Sequence, residues 1–307
     1  VNAGKPKIVI VLGPTAVGKS DVALQLAAEL GGEIINADSQ QVYRYMDVGT
    51  GKPSAAERRR VPHHLIDVVD PDEEFNAAIF RRLAAESISD AHGRGKCAIV
   101  CGGTGLYIKT LTKGLFIAPA QDSLVRAALN REAERSGLPA LYERLEHCDP
   151  KASAWIHRHD RQRIVRALEV FELTGKPISQ WQKEHAFADT PYDTLTVGLN
   201  RERAELYDAI DRRCDRMMED GLLDEVRELV ARGYGLGLKA LQSVGYRHMG
   251  MVLGGQYLLD EAVNLMKRDT RRLAKRQLTW FRSDRDILWF HPAETAAVRT
   301  AIKDFLT

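Results

Sequence analysis

The chain has 307 residues, of which 44% are hydrophobic and 28% charged, and its formal net charge is +2. This composition suits one large or two moderate globular cores and excludes a disordered chain. No apolar run reaches the roughly 18 residues that would span a membrane, and a charge this close to neutral neither demands nor excludes a nucleic-acid partner.

The first residues carry no apolar signal core, so a cytoplasmic location is expected. Lys7–Leu12 is a β-branched run closed by Gly13-Pro14 and reads as a buried parallel strand. A helix is predicted over Asp21–Leu30, with Val22, Leu26 and Leu30 on one face and Gly31-Gly32 at its end. Ile34-Ile35 leads a second strand into Asn36-Ala37-Asp38-Ser39. Asn76–His92 reads as a helix and Lys96–Cys101 as a third buried strand, ended by Gly102-Gly103, with Thr104 opening another helix. Strand, turn and helix in repetition predict an α/β core with a parallel sheet flanked by helices. From Gln121 to Glu184 the periodicity is helical throughout, which predicts an all-helical insertion. Tyr192–Leu199 restores a strand, helices run on to Arg282, Asp286–Phe290 is a late strand and Glu294–Phe305 a closing helix. The expected division is a core of residues 1–118 and 190–307 with a helical insertion at 119–189.

Cys97, Cys101, Cys148 and Cys214 form no CxxC pair, and reduced, mostly buried thiols are expected rather than a zinc site. His63-His64 is expected to make structural hydrogen bonds, because adjacent histidines do not converge readily on one metal.

The chemistry begins at Gly13-Pro14-Thr15-Ala16-Val17-Gly18-Lys19-Ser20, a P-loop pattern without mismatch, between a strand and a helix. Its backbone N–H groups and the following helix N-terminus suit phosphate oxygens. Lys19 supplies a full positive charge, and the Ser20 hydroxyl is placed to ligate Mg²⁺. The motif alone describes an ATP site equally well. A phosphate-hydrolysing enzyme, however, would normally carry an acid at a second strand end, and Cys101-Gly102-Gly103-Thr104 has none. Asp38 is the acid at a strand end near the loop. It could serve the metal, act as a general base beside the bound phosphates, or simply cap a helix.

Several segments together resemble, in order, the motifs of the tRNA dimethylallyltransferase family. They are Gly13–Ser20, Asn36–Arg44, Gly49-Thr50-Gly51-Lys52-Pro53, Pro62-His63-His64-Leu65 and Gly102–Tyr107, followed by Asp160–Glu169, Val244-Gly245-Tyr246 and Lys275–Trp280. The similarity runs over residues 7–285, and without a CxxC…H…H set it is nearest to the bacterial type. The resemblance implies a P-loop core with a helical insertion. The implied activity is transfer of a dimethylallyl group from its diphosphate to N6 of the adenosine 3′ to the anticodon, position 37 of the tRNA. The P-loop would then hold the donor diphosphate with Mg²⁺. Asp38 would be the general base, Arg213 and Thr15 would face the leaving diphosphate, and Thr104 would help to place the base. RNA contacts are implied at Asp38, Ser39, Gln40, Gln41, Thr104, Arg126, Gln162, Arg163, Ile164, Val165 and Arg166, and at Ser243, Val244, Gly245 and Tyr246. The partners are the tRNA anticodon stem-loop and dimethylallyl diphosphate, and a monomer is expected.

The residues make their own case for RNA. Lys267–Arg285 holds eight Lys or Arg against two Asp, and Arg268, Arg271, Arg272, Lys275, Thr279 and Arg282 fall on one helical stripe. Such a stripe, with Arg276, can follow a phosphate backbone, and Gln277 and Trp280 add hydrogen-bonding and stacking groups. Arg158, Arg161, Arg163 and Arg166 form a second cluster. The competing readings are an adenylate isopentenyltransferase acting on free nucleotide, a small-molecule P-loop kinase, and a noncatalytic RNA-binding protein.

Overall fold

β1 (Lys7–Leu12) lies at the heart of the protein, Ile8–Leu12 being at most 2% exposed. An unbroken apolar strand of this kind fits only a sheet covered on both faces. The computed structural model describes residues 4–114, 122–185 and 189–307. They divide into two compact units, Val1–Thr112 with Pro191–Thr307, and Lys113–Thr190. The expected boundary at residue 118 lies outside the described residues.

In the first unit β1 is followed by α1 (Lys19–Leu30), β2 (Glu33–Asn36), α2 (Ala55–Arg60), β3 (His63–His64), α3 (Ala77–Gly93), β4 (Ala98–Gly102) and α4 (Gly105–Lys113). The second unit holds α5 (Ser123–Ser136), α6 (Leu138–Cys148), α7 (Pro150–Ser153), α8 (Arg161–Thr174) and α9 (Ile178–His185). The chain then returns to the first unit with β5 (Asp193–Leu199), α10 (Arg203–Glu219), α11 (Leu222–Ala231), α12 (Tyr246–Leu253), α13 (Leu259–Phe281), β6 (Leu288–Phe290) and α14 (Thr295–Leu306). The six strands form one parallel sheet in the order β3-β2-β4-β1-β5-β6, as the sequence predicts for the core. In such a sheet ligands bind outside the carboxyl ends of the strands. Here those ends are Gly13, Ala37-Asp38, Gly103-Thr104 and Asn200-Arg201.

Two elements escape the sequence reading, and α1 begins two residues earlier than predicted. β3 has only two residues and shows no periodicity of its own. His64 Nε2 meets Glu33 Oε2 at 2.7 Å, and His63 Nδ1 lies 2.8 Å from the Val61 carbonyl. α2 is announced by a local signal, the reciprocal capping box of Ser54 and Glu57. Cys101 and Cys214 are buried and all four thiols are free. Among the described residues no helix is long and apolar enough to cross a membrane.

The helical unit has its own core, built on Leu129, Leu141, Leu145, Ile164, Val165 and Leu168. At its centre Glu169 is fully buried and accepts from Arg126 at 2.9 Å, Arg166 at 2.8 Å and the Asp122 backbone at 2.9 Å. A carboxylate so enclosed survives only because each oxygen is met by a charged or backbone donor.

Candidate active site

The P-loop leaves β1 by a turn that only glycine can make there. Gly13 has φ 150°, and a Cβ on it would stand 2.5 Å from the Leu199 carbonyl oxygen. Gly18, left-handed at φ 102°, caps α1. Lys19 Nζ donates to the Pro14 carbonyl at 2.7 Å, which folds the loop back on itself. Burial lowers the Lys19 pKa to about 8; the positive charge of Arg213 adds to the drop, while Cys101 and Asp38 oppose it.

Asp38 follows β2 and lines the same cavity, which has a volume of about 560 Å³. Its Oδ1 accepts from Gln40 N at 2.8 Å and, more weakly, from Gln41 N at 3.4 Å. The Asp38 carboxylate therefore sets its own turn. The end of β4 supports this turn. Thr104 Oγ1 accepts from Ser39 N at 3.0 Å, and Thr104 N donates to the Ala37 carbonyl at 3.2 Å. A Cβ at Gly102 would lie 2.2 Å from that carbonyl oxygen, so the two strand ends approach as closely as backbone allows.

α10 delivers Arg213, whose Nη1 donates to Thr15 Oγ1 at 3.0 Å and whose Nη2 donates to the Thr50 carbonyl at 3.1 Å. Burial lowers its pKa and the nearby Asp38 works against that, but a guanidinium stays charged at neutral pH. Arg201, Arg212 and Arg216 line the cavity as well, and Arg201 Nε donates to the Val17 carbonyl at 3.2 Å. No motif in the sequence points to Arg201 or Arg216. The only local hint for Arg201 is its place just beyond the carboxyl end of a strand. A second cavity of about 330 Å³ shares Thr15, Asp38, Thr50, Arg213, Met217 and Leu273 with the first and continues to Gln40, Ser243, Val244 and Arg276. The two cavities thus have Asp38 in common.

In the loop facing Arg213, the backbone amides of residues 47–49 converge on one carboxylate. Glu225 of α11 accepts from Asp47 N at 2.8 Å, Val48 N at 2.7 Å, Gly49 N at 3.2 Å and Tyr246 Oη at 2.5 Å. Gly49 leaves room for the Tyr246 ring, which a Cβ would meet at 2.4 Å. Charge-assisted bonds contribute about 1.5–3 kcal/mol each when buried, and less where water competes. Glu225→Ala should therefore destabilise the protein by about 2–4 kcal/mol in chemical denaturation. An unchanged midpoint and slope would show that the loop does not depend on this anchor.

The structure places the other candidates from the sequence as follows. Tyr246 is 0% exposed and belongs to that anchor. Ile164 and Val165 are core residues of the helical unit, at 0% and 4% exposure. Arg126 and Arg166 hold the buried Glu169. Arg163 is exposed and within 3.3 Å of Asp160, and Gln162 is exposed. Arg161 reaches Asn130 and Glu134. On α13 the stripe is not a row of bare charges. Arg271 pairs with Asp211, and Arg268 and Arg272 pair with Asp269, which Arg247 also meets. Burial alone would raise the Asp269 carboxyl, but Arg268 and Arg247 bring it down to about 2. Lys275 and Arg276 are exposed, and neither pairs with a carboxylate among the described residues. Gln41 Nε2 donates to the Thr50 and Gly51 carbonyls, Ser243 Oγ donates to the Ala240 carbonyl, and Gly245 has φ 97°. Trp280, 43% exposed, lies against Gly105, and the side chain of Gln277 is engaged at the P-loop.

The IPP transferase family model matches residues 41–284. The chain is 55% identical over 288 residues to a tRNA dimethylallyltransferase of Syntrophobacter fumaroxidans, covering 94% of this chain and 84% of that protein. The structure of a tRNA isopentenylpyrophosphate transferase from Bacillus halodurans superposes with a TM-score of 0.73 at 40% identity, covering 98% of this chain and 97% of that one. The structure of a eukaryotic dimethylallyltransferase acting on tRNA superposes with a TM-score of 0.77 at 32% identity, over 90% of this chain and 69% of that one.

Proposed function

The chain belongs to the IPP transferase family, and we propose that it transfers a dimethylallyl group from dimethylallyl diphosphate to N6 of adenosine 37 in tRNA. The observation that carries this reading is the position of Asp38. It is common to a cavity lined by Lys19, Ser20 and Arg213 and to a second cavity leading to Arg276. The first suits a diphosphate and the second an acceptor.

The chemistry follows from those groups. The lone pair of N6 is delocalised into the adenine ring, so the amine is a weak nucleophile. As N6 bonds to C1 of the dimethylallyl group, the C1–O bond breaks and the diphosphate takes the electron pair. The proton lost by N6 passes to the Asp38 carboxylate. Lys19, Arg213 and the P-loop amides face the oxygens on which negative charge gathers. A carboxylate that already sets its own turn is oriented before substrate arrives, which removes a reorganisation cost.

The donor set also fits magnesium. The Ser20 hydroxyl lines the cavity and can supply one ligand to Mg²⁺, which takes most of its others from phosphate oxygens and water. When bound, it would neutralise charge on the diphosphate. The same reading takes the protein as a cytoplasmic monomer that engages the anticodon stem-loop.

Labelled dimethylallyl diphosphate, offered with either tRNA or AMP, tests the assignment. Label should pass to tRNA and not to AMP; label on AMP alone would identify a free-nucleotide enzyme. In the same assay system, replacing both Lys275 and Arg276 by alanine should flatten the salt dependence of tRNA binding. The slope of log K against log[salt] should fall by about 0.7–0.9 for each phosphate that the protein no longer neutralises. An unchanged slope would mean that this end of α13 does not meet the RNA backbone.

A further inference from the structure

The helix that carries the basic stripe also reaches into the P-loop. Gln277 Oε1 accepts from Thr15 N at 2.8 Å, and Gln277 Nε2 donates to the Gly103 carbonyl at 3.0 Å. One carboxamide thereby ties the loop after β1 to the loop after β4, and these strands are neighbours in the sheet. The orientation of the amide is dictated by its partners, since a backbone N–H needs the oxygen and a carbonyl needs the NH₂. Glycines clear the approach. A Cβ on Gly103 would stand 2.4 Å from Gln277 Nε2, and a Cβ on Gly105 would stand 2.3 Å from the Trp280 ring. Thr15 is also the residue whose hydroxyl receives Arg213.

We propose that Gln277 is a positioning residue of the diphosphate site and not an RNA contact. The inference rests on the reading of the P-loop as the donor site. Gln277 holds the Thr15 backbone, and the Thr15 hydroxyl in turn holds the guanidinium of Arg213 where the leaving diphosphate gathers charge. The surrounding loop is under conformational demand, with Ala16 at φ 63°, a region that residues other than glycine enter only when neighbours hold them there. A residue reading RNA would present its amide to a base or phosphate, whereas both ends of this amide are engaged inside the protein. Glutamate could still accept from Thr15 N, but its second oxygen would face the Gly103 carbonyl. Lysine and arginine offer no acceptor at all. Through this side chain the face of α13 opposite the exposed charges becomes part of the catalytic frame.

Gln277→Met keeps the side-chain length and removes both hydrogen bonds. Inorganic diphosphate, titrated into the protein without RNA, should bind about 5–20-fold more weakly. Affinity for an anticodon stem-loop RNA should stay within about twofold. The kcat for dimethylallyl transfer should fall by about 10–100-fold, the effect of displacing a charge-stabilising group by a fraction of an ångström to about 1 Å. Gly103→Ala, which forces the carboxamide away, should give the same pattern. The double variant should be no worse than the poorer single one, because both break the same link. Thermal unfolding of each variant accompanies these measurements, and Gln277→Glu, which should also lose diphosphate affinity, replaces any variant that fails to fold. Lost RNA affinity with unchanged diphosphate affinity would overturn the proposal and make Gln277 an RNA contact. Unchanged diphosphate affinity and kcat in both variants would overturn it as well. Wild-type protein that transferred nothing to tRNA would instead refute the proposed activity, and the diphosphate titration would still decide the role of Gln277.

Discussion

Lys19→Ala should reduce dimethylallyl transfer by about 10³-fold or more, because a cation enclosed by the P-loop faces the charge that develops on the diphosphate. Folding should survive the change. The folded protein holds the Lys19 pKa at about 8, below its ordinary value of 10.5. The lysine is therefore a liability to the empty site below pH 8, and that liability fades as the pH rises from about 8 toward 10.5. Removing it should leave the thermal midpoint at pH 7 unchanged or slightly raised. The same sign governs ligand binding, since a diphosphate prefers the ammonium form. Affinity for dimethylallyl diphosphate should weaken as the pH passes upward through about 8, and the Lys19→Ala variant should show no such decline. Turnover close to wild type in the variant, or parallel pH curves for both proteins, would remove Lys19 from the mechanism.

Asp38→Asn is the sharper probe because it separates the turn that this side chain sets from the chemistry proposed for it. The amide oxygen of asparagine can still accept from Gln40 N, as Asp38 Oδ1 does at 2.8 Å. The turn should therefore persist while the proton acceptor is lost. Single-turnover rates should fall by about 10²–10⁴-fold, the usual range for a general base, and tRNA affinity should change by less than about threefold. Unchanged chemistry with collapsed tRNA affinity would make Asp38 a recognition residue. A large loss of stability would instead give its main weight to the turn.

What can be read along the chain and what cannot divides on physical grounds. The P-loop is legible because eight consecutive residues contain nearly everything it needs: two glycines for the turn, a lysine, a hydroxyl, and a strand and helix on either side. Lys7–Leu12 and Lys96–Cys101 are legible as strands because burial on both faces leaves nearly continuous apolar runs. The helical stretch after Gln121 is legible because a period of 3.6 repeats over several turns. β3 is not legible, since two residues carry no period and His63–His64 pair only because β2 lies beside them.

Within the site, local pattern names residue types and tertiary structure selects among them. Arg212 and Arg213 are indistinguishable in a helical charge run, yet successive residues point about 100° apart, and only Arg213 reaches Thr15. The stripe on α13 reads as a phosphate track, but Asp211 on a different helix claims Arg271. Tyr246 reads as a motif residue open to a ligand, but the burial of its ring and its bond to Glu225 make it a support for residues 47–49. Gln277 stands 262 positions from the Thr15 amide it engages. Sequence by itself determined the phosphate loop, the parallel core and the helical insertion, and named Asp38 as a candidate acid, because each is written in neighbouring residues or in a short repeat. Only the tertiary structure decided which cations face the cavity and which are paired off. That outcome depends on the approach of elements far apart in the chain, and no local spacing encodes it.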